Sequence, residues 1–471
     1  MVESKIITIN KYKFNNILSK YEVKRELSTL QEHFVFVPVD KAAKNVSLVC
    51  KKFYLDTVNS EIEDSATFEK VSDNPDAIMQ NLLHRYGNKN TEKLPFLYAI
   101  TKMHKNPVKF RYITAGRDTF FSKMSIAVGK CLKLLTKTAQ TSIQHKIKGL
   151  KSSNFVIDSR ERVIQFLNIS NNNSDRKQIS TWDFSMLYTK IPLDKLKDQV
   201  AKFVRKIYAI ISQSKKSDFI TTSEKSKTAY FNKSRSKINV SYSVDELIQK
   251  INCVINNSYI LYRGKVYRQK IGIPMGTNCA PYLANIFLHA YEYDYLEKLV
   301  REGDTATAML LSNTFRYQDD LIALNDDGMF CQHYNNIYPT EMNLENTNIS
   351  KNVCTFLDLR ISIFRGKFRY SSYDKRKDFN FDICNFPDLN GNIPYGNAYG
   401  VFLSQLVRFC DINSSIDNFF QDVKTMVKKL SKQGFDNKTL LETFMKFSVK
   451  YLYKWAKYGL DIIPRICRIF N

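Results

Sequence analysis

The chain has 471 residues, 44% of them hydrophobic and 13% aromatic, which excludes a disordered protein and predicts two or three lobes at this length. Lysine and arginine outnumber aspartate and glutamate by 71 to 46, and the formal charge of +25 is spread along the chain. This favours a polyanionic partner, with a merely basic surface as the alternative. Without a secretory signal or a run of about 18 apolar residues, we expect neither secretion nor a membrane partner. The nine cysteines are scattered without a CxxC pair, which favours reduced thiols inside the cell.

The hydrophobic pattern predicts alternating strand pairs and helices. In chain order these are strand pairs over 33–54 and 98–116, helices over 119–147, 196–211 and 281–300, a hairpin over 355–370, and helices over 416–430 and 437–458. Residues 212–240 are rich in serine and lysine and predict an exposed insertion with a short hairpin.

The last predicted helix carries a row of lysines at spacings of four, four and three residues, so that they would share one face: Lys446, Lys450, Lys454 and Lys457. A solvated helix face is one interpretation of this row. A surface that follows a nucleic-acid backbone is the other.

Two adjacent carboxylates lie between apolar residues in "FRYQDDLIAL", residues 315–324. Asp319 and Asp320 could form the tip of a hairpin, since aspartate favours turns and the flanking residues resemble two strands. They could also form a metal site, because close carboxylates are unfavourable unless a cation compensates their repulsion.

A third carboxylate, Asp183, follows β-prone residues in "STWDFSMLYTKIP", residues 180–192. Together with the other two it gives a ligand set that holds two Mg²⁺ ions about 3.5 to 4 Å apart for in-line phosphoryl transfer. Between the two segments lies "GIPMGTNCAPYLANIFL", in which Gly272 and Gly276 bracket a proline before a helix. Glycine permits close backbone approach, as a site for a template base and an incoming nucleotide requires.

In this order the segments resemble the motifs of reverse transcriptases, and within them those of the Penelope-like element group, which is related to telomerase. "TWDFSMLYTKIP", "GIPMGTNCAPYLANIFLHAYE" and "FRYQDDLIALN" resemble palm motifs A, B and C. "PVDKAAKNVSLVCKKFY" and "ITKMHKNPVKFRYITAG" resemble fingers segments, "YDKRKDFNFDICNFP" the primer grip and "NIPYGNAYGVFLSQLVRF" the entry to the thumb. The resemblance covers residues from about 33 to 460.

The resemblance implies an α+β, right-hand polymerase with a ferredoxin-like palm and a helical thumb. Fingers with an N-terminal extension would cover 1–175, the palm 176–391 with the insertion near 212–240, and the thumb 392–471. The implied reaction is RNA-directed DNA synthesis from a primer 3′-hydroxyl with two Mg²⁺ or Mn²⁺ ions. The implied partners are an RNA template, a DNA primer, their RNA–DNA hybrid and dNTPs, and the implied location is the nucleus.

The resemblance also assigns site residues. Asp183, Asp319 and Asp320 would be the catalytic, metal-binding triad. Four residues would bind the dNTP: Lys41, Arg111, Tyr188 and Gly276. Surface charge remains the alternative for the lysine of this set, whereas arginine suits phosphate binding. The template or primer would contact Lys102, Lys105, Lys109, Lys375, Arg376, Lys446, Lys450 and Lys454.

Tyr188 lies five residues after Asp183, where a bulky ring would clash with a ribose 2′-hydroxyl and select dNTPs; packing in the core is the alternative. Gln318 departs from the group, which usually has a smaller or aliphatic residue there. Lys351 is a candidate proton donor to pyrophosphate, with a surface lysine as the alternative.

No GIY-YIG motif follows Phe409, and the remaining residues, about 60, are too few for that nuclease or an RNase H domain. If the target is nicked, a separate endonuclease would therefore have to do it. Three competing functions stay open: an RNA-dependent RNA polymerase, a catalytically inactive or host-adopted nucleic-acid-binding remnant, and a scaffold protein.

Overall fold

The computed structural model describes residues 19–86, 93–147, 155–173, 177–215, 217–381, 383, 385–391, 393, 395–459 and 462–470. It divides into two compact units, one formed by Met1–Tyr54 with Arg369–Asn471 and the other by Leu55–Phe368. Helices and strands are mixed in the chain, as the sequence predicts. The division into three lobes at residues 175 and 391 stays a prediction.

Within the described residues the helices are α1 (Lys20–His33), α2 (Lys51–Ile62), α3 (Pro75–Tyr86), α4 (Ser122–Lys146), α5 (Glu161–Ser170), α6 (Leu187–Lys190), α7 (Leu193–Lys215), α8 (Val244–Asn256), α9 (Ala280–Glu302), α10 (Thr305–Leu311), α11 (Met329–Ile337), α12 (Tyr395–Ala398), α13 (Gly400–Ile412), α14 (Ile416–Lys432), α15 (Asn437–Lys450), α16 (Leu452–Trp455) and α17 (Ile462–Cys467). Short 3₁₀ helices cover Lys375–Asp378 and Ala456–Tyr458.

The strands of the described residues are β1 (Phe34–Val39), β2 (Ala42–Cys50), β3 (Phe68–Lys70), β4 (Phe96–Lys102), β5 (Lys109–Ala115), β6 (Ile179–Phe184), β7 (Phe219–Thr222), β8 (Ala229–Asn232), β9 (Val240–Tyr242), β10 (Tyr259–Tyr262), β11 (Lys265–Gln269), β12 (Thr314–Tyr317), β13 (Asp320–Leu324), β14 (Leu344–Asn346), β15 (Val353–Phe356), β16 (Leu359–Phe364) and β17 (Lys367–Ser372).

The unit Leu55–Phe368 is built around α4, which packs against α7, α8 and α9. Apolar residues at helical spacing fill this core, among them Val128, Leu132, Leu135, Phe203, Ile207, Phe287 and Tyr293. An antiparallel sheet in the order β12, β13, β6, β14 adds Trp182 and Leu321 to the same core. Because side chains alternate along a strand, the neighbours of these two residues point to the other face of the sheet.

A second group of strands in this unit contains the β4–β5 hairpin, which pairs from Phe96 with Ala115 to Lys102 with Lys109. Strand β10 runs parallel to β4 and pairs with β11, which in turn pairs with β3. The predicted strand pair over 98–116 is therefore confirmed.

The insertion differs from the prediction of an exposed hairpin. Its strands form a three-stranded sheet in the order β8, β7, β9, and Ile220 and Thr221 of the middle strand are fully buried. Ile220 and Ala229 join the same core as α4. Serine and lysine dominate the connecting turns of this segment, and its few apolar residues are sufficient to anchor it.

In the unit formed by Met1–Tyr54 and Arg369–Asn471, β1 and β2 form a hairpin that turns at Asp40 and Lys41. Helices α13, α14 and α15 pack together and bury Phe402, Leu406, Phe419, Val423 and Phe444. Among the residues that the structure describes, no helix is both long and apolar enough to span a membrane.

The single helix predicted over 437–458 is wrong in its length. α15 ends at Lys450, and α16 and a 3₁₀ turn follow. The lysine row is interrupted as a result, because Nζ of Lys454 donates to Asp411 at 2.7 Å and Nζ of Lys457 donates to the carbonyls of Cys410 and Asn413.

Candidate active site

The register of the four-stranded sheet brings the three predicted carboxylates together. Asp320, the first residue of β13, lies directly opposite Asp183 of β6. Opposite residues of an antiparallel pair share a face, with Cβ atoms about 4.5 to 5.5 Å apart. Asp319 adjoins them, because its carbonyl accepts a hydrogen bond from the backbone N–H of Phe184 at 3.1 Å. The sheet therefore gathers the triad at one end, with Asp183 and Asp320 on the face opposite the helical core and Asp319 in the adjoining turn.

Asp319 also belongs to a tight hairpin turn. Tyr317 pairs with Asp320, which leaves Gln318 and Asp319 as a two-residue loop. Gln318 has a φ of 57°, in the left-handed region that glycine and asparagine adopt most readily. The turn and the candidate site are thus the same structure, and the two interpretations of this segment are compatible.

A fourth carboxylate shares this face. Glu345 of β14 lies opposite Asp183 on the side away from Asp320, and it is exposed. In the described part of the chain, no group of three or more His, Cys, Asp or Glu side chains is arranged to hold a metal ion. Carboxylate oxygens are nevertheless the donors that Mg²⁺ and Mn²⁺ prefer, so the chemistry of this donor set fits such an ion.

Tyr188 contacts the turn that carries the triad. It lies in α6, half-buried against the helical core, and its hydroxyl donates to the side-chain carbonyl of Gln318 at 2.9 Å. Burial, together with the carboxylate of Asp319, raises the pKa of Tyr188 well above its ordinary value. The hydroxyl therefore remains a protonated donor at neutral pH, and the ring packs in the core while its polar end lies at the candidate site.

The glycine loop between β11 and α9 is pressed against the protein's own backbone. A Cβ at Gly272 would lie 2.4 Å from the carbonyl oxygen of Tyr188, and one at Gly276 would lie 1.9 Å from that of Thr114. The N–H of Ile273 donates to the carbonyl of Tyr188 at 2.7 Å, and the N–H of Thr114 donates to that of Met275 at 2.6 Å. Both glycines are therefore required by close packing within the chain, and contact of Gly276 with a dNTP stays a prediction.

A buried arginine supports the turn from beneath, and sequence reasoning missed it. Arg316 on β12 and Glu292 on α9 have fully buried side chains that form an ion pair. The guanidinium also donates to the side chain of Asn285 at 2.6 Å and to the carbonyl of Gln318 at 3.1 Å. The signal available in the sequence was an arginine between apolar strand residues, with a glutamate inside an apolar helix.

Glu292 is the centre of that network. It also accepts hydrogen bonds from the hydroxyl of Tyr338 at 2.8 Å and from Nδ1 of His289 at 3.0 Å. Burial alone would raise the pKa of Glu292, but Arg316 and His289 outweigh it and lower the pKa to about 2. The carboxylate stays ionised, so the charge pair between α9 and β12 persists at neutral pH.

The remaining residues predicted to bind nucleotide or nucleic acid are distributed over both units. Arg111 lies on β5, half-buried, opposite Ile100 of β4. Lys41 lies in the other unit, exposed in the β1–β2 turn, with a φ of 64°. Arg111 therefore lies in the same unit as the triad and Lys41 lies in the other unit, and the binding of a dNTP by either residue stays a prediction.

The basic residues predicted to contact template or primer also divide between the units. Lys102 and Lys109 face each other at the end of the β4–β5 hairpin, and Lys105 is exposed at its tip. In the other unit Lys375 and Arg376 begin a short 3₁₀ helix, and Arg376 forms an ion pair with Asp374.

Lys446 and Lys450 are exposed on α15, whereas Lys454 forms an ion pair with Asp411. Two of the three predicted thumb contacts therefore present their side chains to solvent, and the third is engaged within its own unit.

No protein-family model matches the sequence, and no curated protein matches it. Among solved structures, telomerase from Candida albicans, in complex with a TWJ fragment of telomeric RNA, superposes with a TM-score of 0.59 and 12% identity over 96% of this chain and 75% of that chain. Apo telomerase from Candida tropicalis gives a TM-score of 0.51 and 12% identity over 94% of this chain and 74% of that chain. A chain from an RNA polymerase complex inside a dsRNA virus reaches only 0.39, with 11% identity over 83% of this chain and 32% of that chain.

These similarities identify the fold. The chain shares the fold of the two telomerase chains, and the predicted α+β, right-hand polymerase architecture is confirmed. Membership of the Penelope-like group and the need for a separate endonuclease stay predictions.

Proposed function

We propose that the protein is an RNA-directed DNA polymerase that extends a primer 3′-hydroxyl with dNTPs. The observation that carries this proposal is the pairing of Asp320 with Asp183 beside Asp319 at the end of a sheet. Three carboxylates gathered in this way offer the oxygen donors that Mg²⁺ and Mn²⁺ prefer for phosphoryl transfer.

Asp183, Asp319 and Asp320 would hold two Mg²⁺ or Mn²⁺ ions. When bound, such ions supply charge neutralisation and activation of the attacking oxygen in phosphoryl transfer. The protein's own contribution is to fix these carboxylates, through the register of β6 and β13 and through the support of Arg316 beneath the turn. Tyr188, whose hydroxyl is held at the same turn, would exclude a ribose 2′-hydroxyl.

Basic surfaces support a nucleic-acid partner. Lys102 and Lys109 are directly opposite on the β4–β5 hairpin and Lys105 is exposed at its tip, so the end of this hairpin concentrates positive charge that suits a polyanion. Together with the net charge of +25, this favours an RNA template and an RNA–DNA hybrid bound through their phosphates. Binding would then weaken steeply as the salt concentration rises.

The telomerase similarity supports the proposal at the level of fold. The first of these telomerase structures contains telomeric RNA, and an RNA template is the corresponding partner that we propose here. In its finer form the proposal is a polymerase of a Penelope-like retroelement that acts in the nucleus.

Primer extension on an RNA template, with Mg²⁺ or Mn²⁺ and with either dNTPs or NTPs, tests the proposal. We expect a DNA product from the wild type and none from Asp319→Asn, with hybrid binding retained in both. Asp327→Asn is the matched control, because Asp327 is an exposed aspartate shortly after β13. We expect it to extend the primer like the wild type.

Each other outcome contradicts the proposal in its own way. Extension by Asp319→Asn would remove that residue from catalysis. Preference for NTPs would indicate an RNA-dependent RNA polymerase. Tight hybrid binding without extension would indicate an inactive remnant, and failure to bind at moderate salt would indicate a scaffold protein.

A further inference from the structure

Gln318 makes two contacts that join separate parts of the candidate site. Its backbone carbonyl accepts a hydrogen bond from Arg316 at 3.1 Å, and its side-chain carbonyl accepts one from the hydroxyl of Tyr188 at 2.9 Å. The next residue is Asp319. One side chain therefore connects the turn that carries the triad to the aromatic ring that would face the sugar of an incoming nucleotide.

The backbone at this position makes glutamine an unfavourable choice for the turn alone. Gln318 has a φ of 57°, a left-handed conformation in which a side chain is strained and in which glycine or asparagine is preferred. Strain of this kind persists where the surrounding structure and a function maintain it. Glycine has no side chain with which to reach Tyr188, and asparagine is shorter by one methylene group.

The ring of Tyr188 is fixed at both ends. Its backbone carbonyl accepts a hydrogen bond from Ile273 of the glycine loop at 2.7 Å, which holds the base of the side chain. The hydrogen bond to Gln318 holds the other end. A half-buried hydroxyl that loses its acceptor is unfavourable, so removal of the glutamine oxygen would favour other orientations of the ring.

We propose that Gln318 is a positioning residue for sugar selection, which holds the Tyr188 ring where it excludes a ribose 2′-hydroxyl. This inference rests on the proposed function. It assigns a role to the residue at which the sequence departs from the group that it resembles. It also makes discrimination between dNTPs and NTPs depend on a side chain that need not touch the nucleotide.

The test is a double-mutant cycle on the ratio of kcat/KM for a dNTP to that for the matching NTP, measured by single-nucleotide primer extension. Gln318→Met keeps side-chain length and removes the acceptor, and Tyr188→Phe keeps the ring and removes the donor. We expect each to lower the ratio about 3- to 10-fold, which corresponds to about 0.7 to 1.4 kcal/mol. The double variant should be no lower than either single variant, because both remove the same hydrogen bond.

Two further variants separate positioning from stability. Gln318→Gly removes both the strain at the turn and the hydrogen bond to Tyr188, whose effects on stability oppose each other, so we expect its urea midpoint to stay close to that of the wild type while its discrimination ratio falls. Gln332→Met is the matched control, since Gln332 is exposed on α11, and its ratio should equal that of the wild type.

An unchanged ratio in Gln318→Met, or additive losses in the double variant, would overturn the inference while the proposed function stands. A fall in the ratio of Gln318→Gly accompanied by a loss of stability well beyond that of one hydrogen bond, more than about 2 kcal/mol, would also overturn it, by showing that the side chain acts on the fold. A wild type that extends no primer with either nucleotide would overturn the proposed function and this inference with it.

Discussion

Replacement of Arg316 by methionine should be among the most destabilising changes in this chain that leave the backbone unaltered. The guanidinium is fully buried and forms an ion pair with Glu292, whose side chain is also fully buried. Methionine fills much of the same volume but leaves a buried carboxylate without its cation. Removal of one partner from a buried pair costs about 3 to 5 kcal/mol, and we expect Arg316→Met to lose stability in that range.

The assay is urea unfolding, in which a lower midpoint at constant slope reports lost stability. Lys202→Met is the matched control, because Lys202 forms a pair with Asp198 in which the side chains are 69% and 63% exposed. We expect that variant to lie within about 0.5 kcal/mol of the wild type. The double variant Arg316→Met with Glu292→Leu should be more stable than Arg316→Met alone, because it also removes the buried carboxylate that has lost its cation.

The same change tests how the turn is held. Because Arg316 donates to the carbonyl of Gln318, Arg316→Met should also reduce primer extension at urea concentrations where the protein is folded. A loss of less than about 1 kcal/mol would show that Glu292 is solvated or protonated, and so would refute the reasoning. A double variant as unstable as the sum of the two single variants would refute it as well.

Two other variants probe the supports of the candidate site. Gly276→Ala places a Cβ 1.9 Å from a backbone oxygen and should prevent stable folding of the loop. Gly303→Ala is the control, because the new Cβ has open space around it, and it should lower the free energy of unfolding by only about 1 to 2 kcal/mol. The two variants are compared by their urea midpoints, and equal losses of stability would contradict the packing argument. Because the pKa of Glu292 is lowered to about 2 from an ordinary value of 4.5, its stabilising contribution is complete above about pH 4.5 and is lost as the pH falls towards 2. Urea unfolding across this range should show a smaller loss for Glu292→Gln, and an equal loss would contradict the assigned charge.

The sequence was most informative where local pattern and chemistry coincide. Apolar residues on both sides of Asp319 and Asp320 predicted a hairpin, and β12 and β13 form it. Alternation along a strand also explains why Asp183 points away from the helical core. The register that places Asp183 opposite Asp320 could not be predicted, because it depends on pairing between segments far apart in the chain.

Long-range partners account for what the sequence did not predict. The ion pair of Arg316 and Glu292 joins a strand to a helix. The sequence around either residue does not show that the other is its partner. The apolar spacing of the last helix continues past residue 450, yet the helix ends there while Lys454 bonds to Asp411. Tertiary partners of this kind override a helical pattern.

The glycine loop makes a close-packed connection within the unit Leu55–Phe368. Residues 271–278 form hydrogen bonds with the backbone of Tyr188 at one end and with that of Thr114 at the other. At both contacts the backbones are so close that a Cβ atom at Gly272 or Gly276 would not fit. The loop therefore joins the backbone of β5 to the backbone that carries Tyr188. Arg111 lies on the same strand as Thr114, so the residue predicted to bind phosphate and the residue predicted to select the sugar share one continuous backbone support.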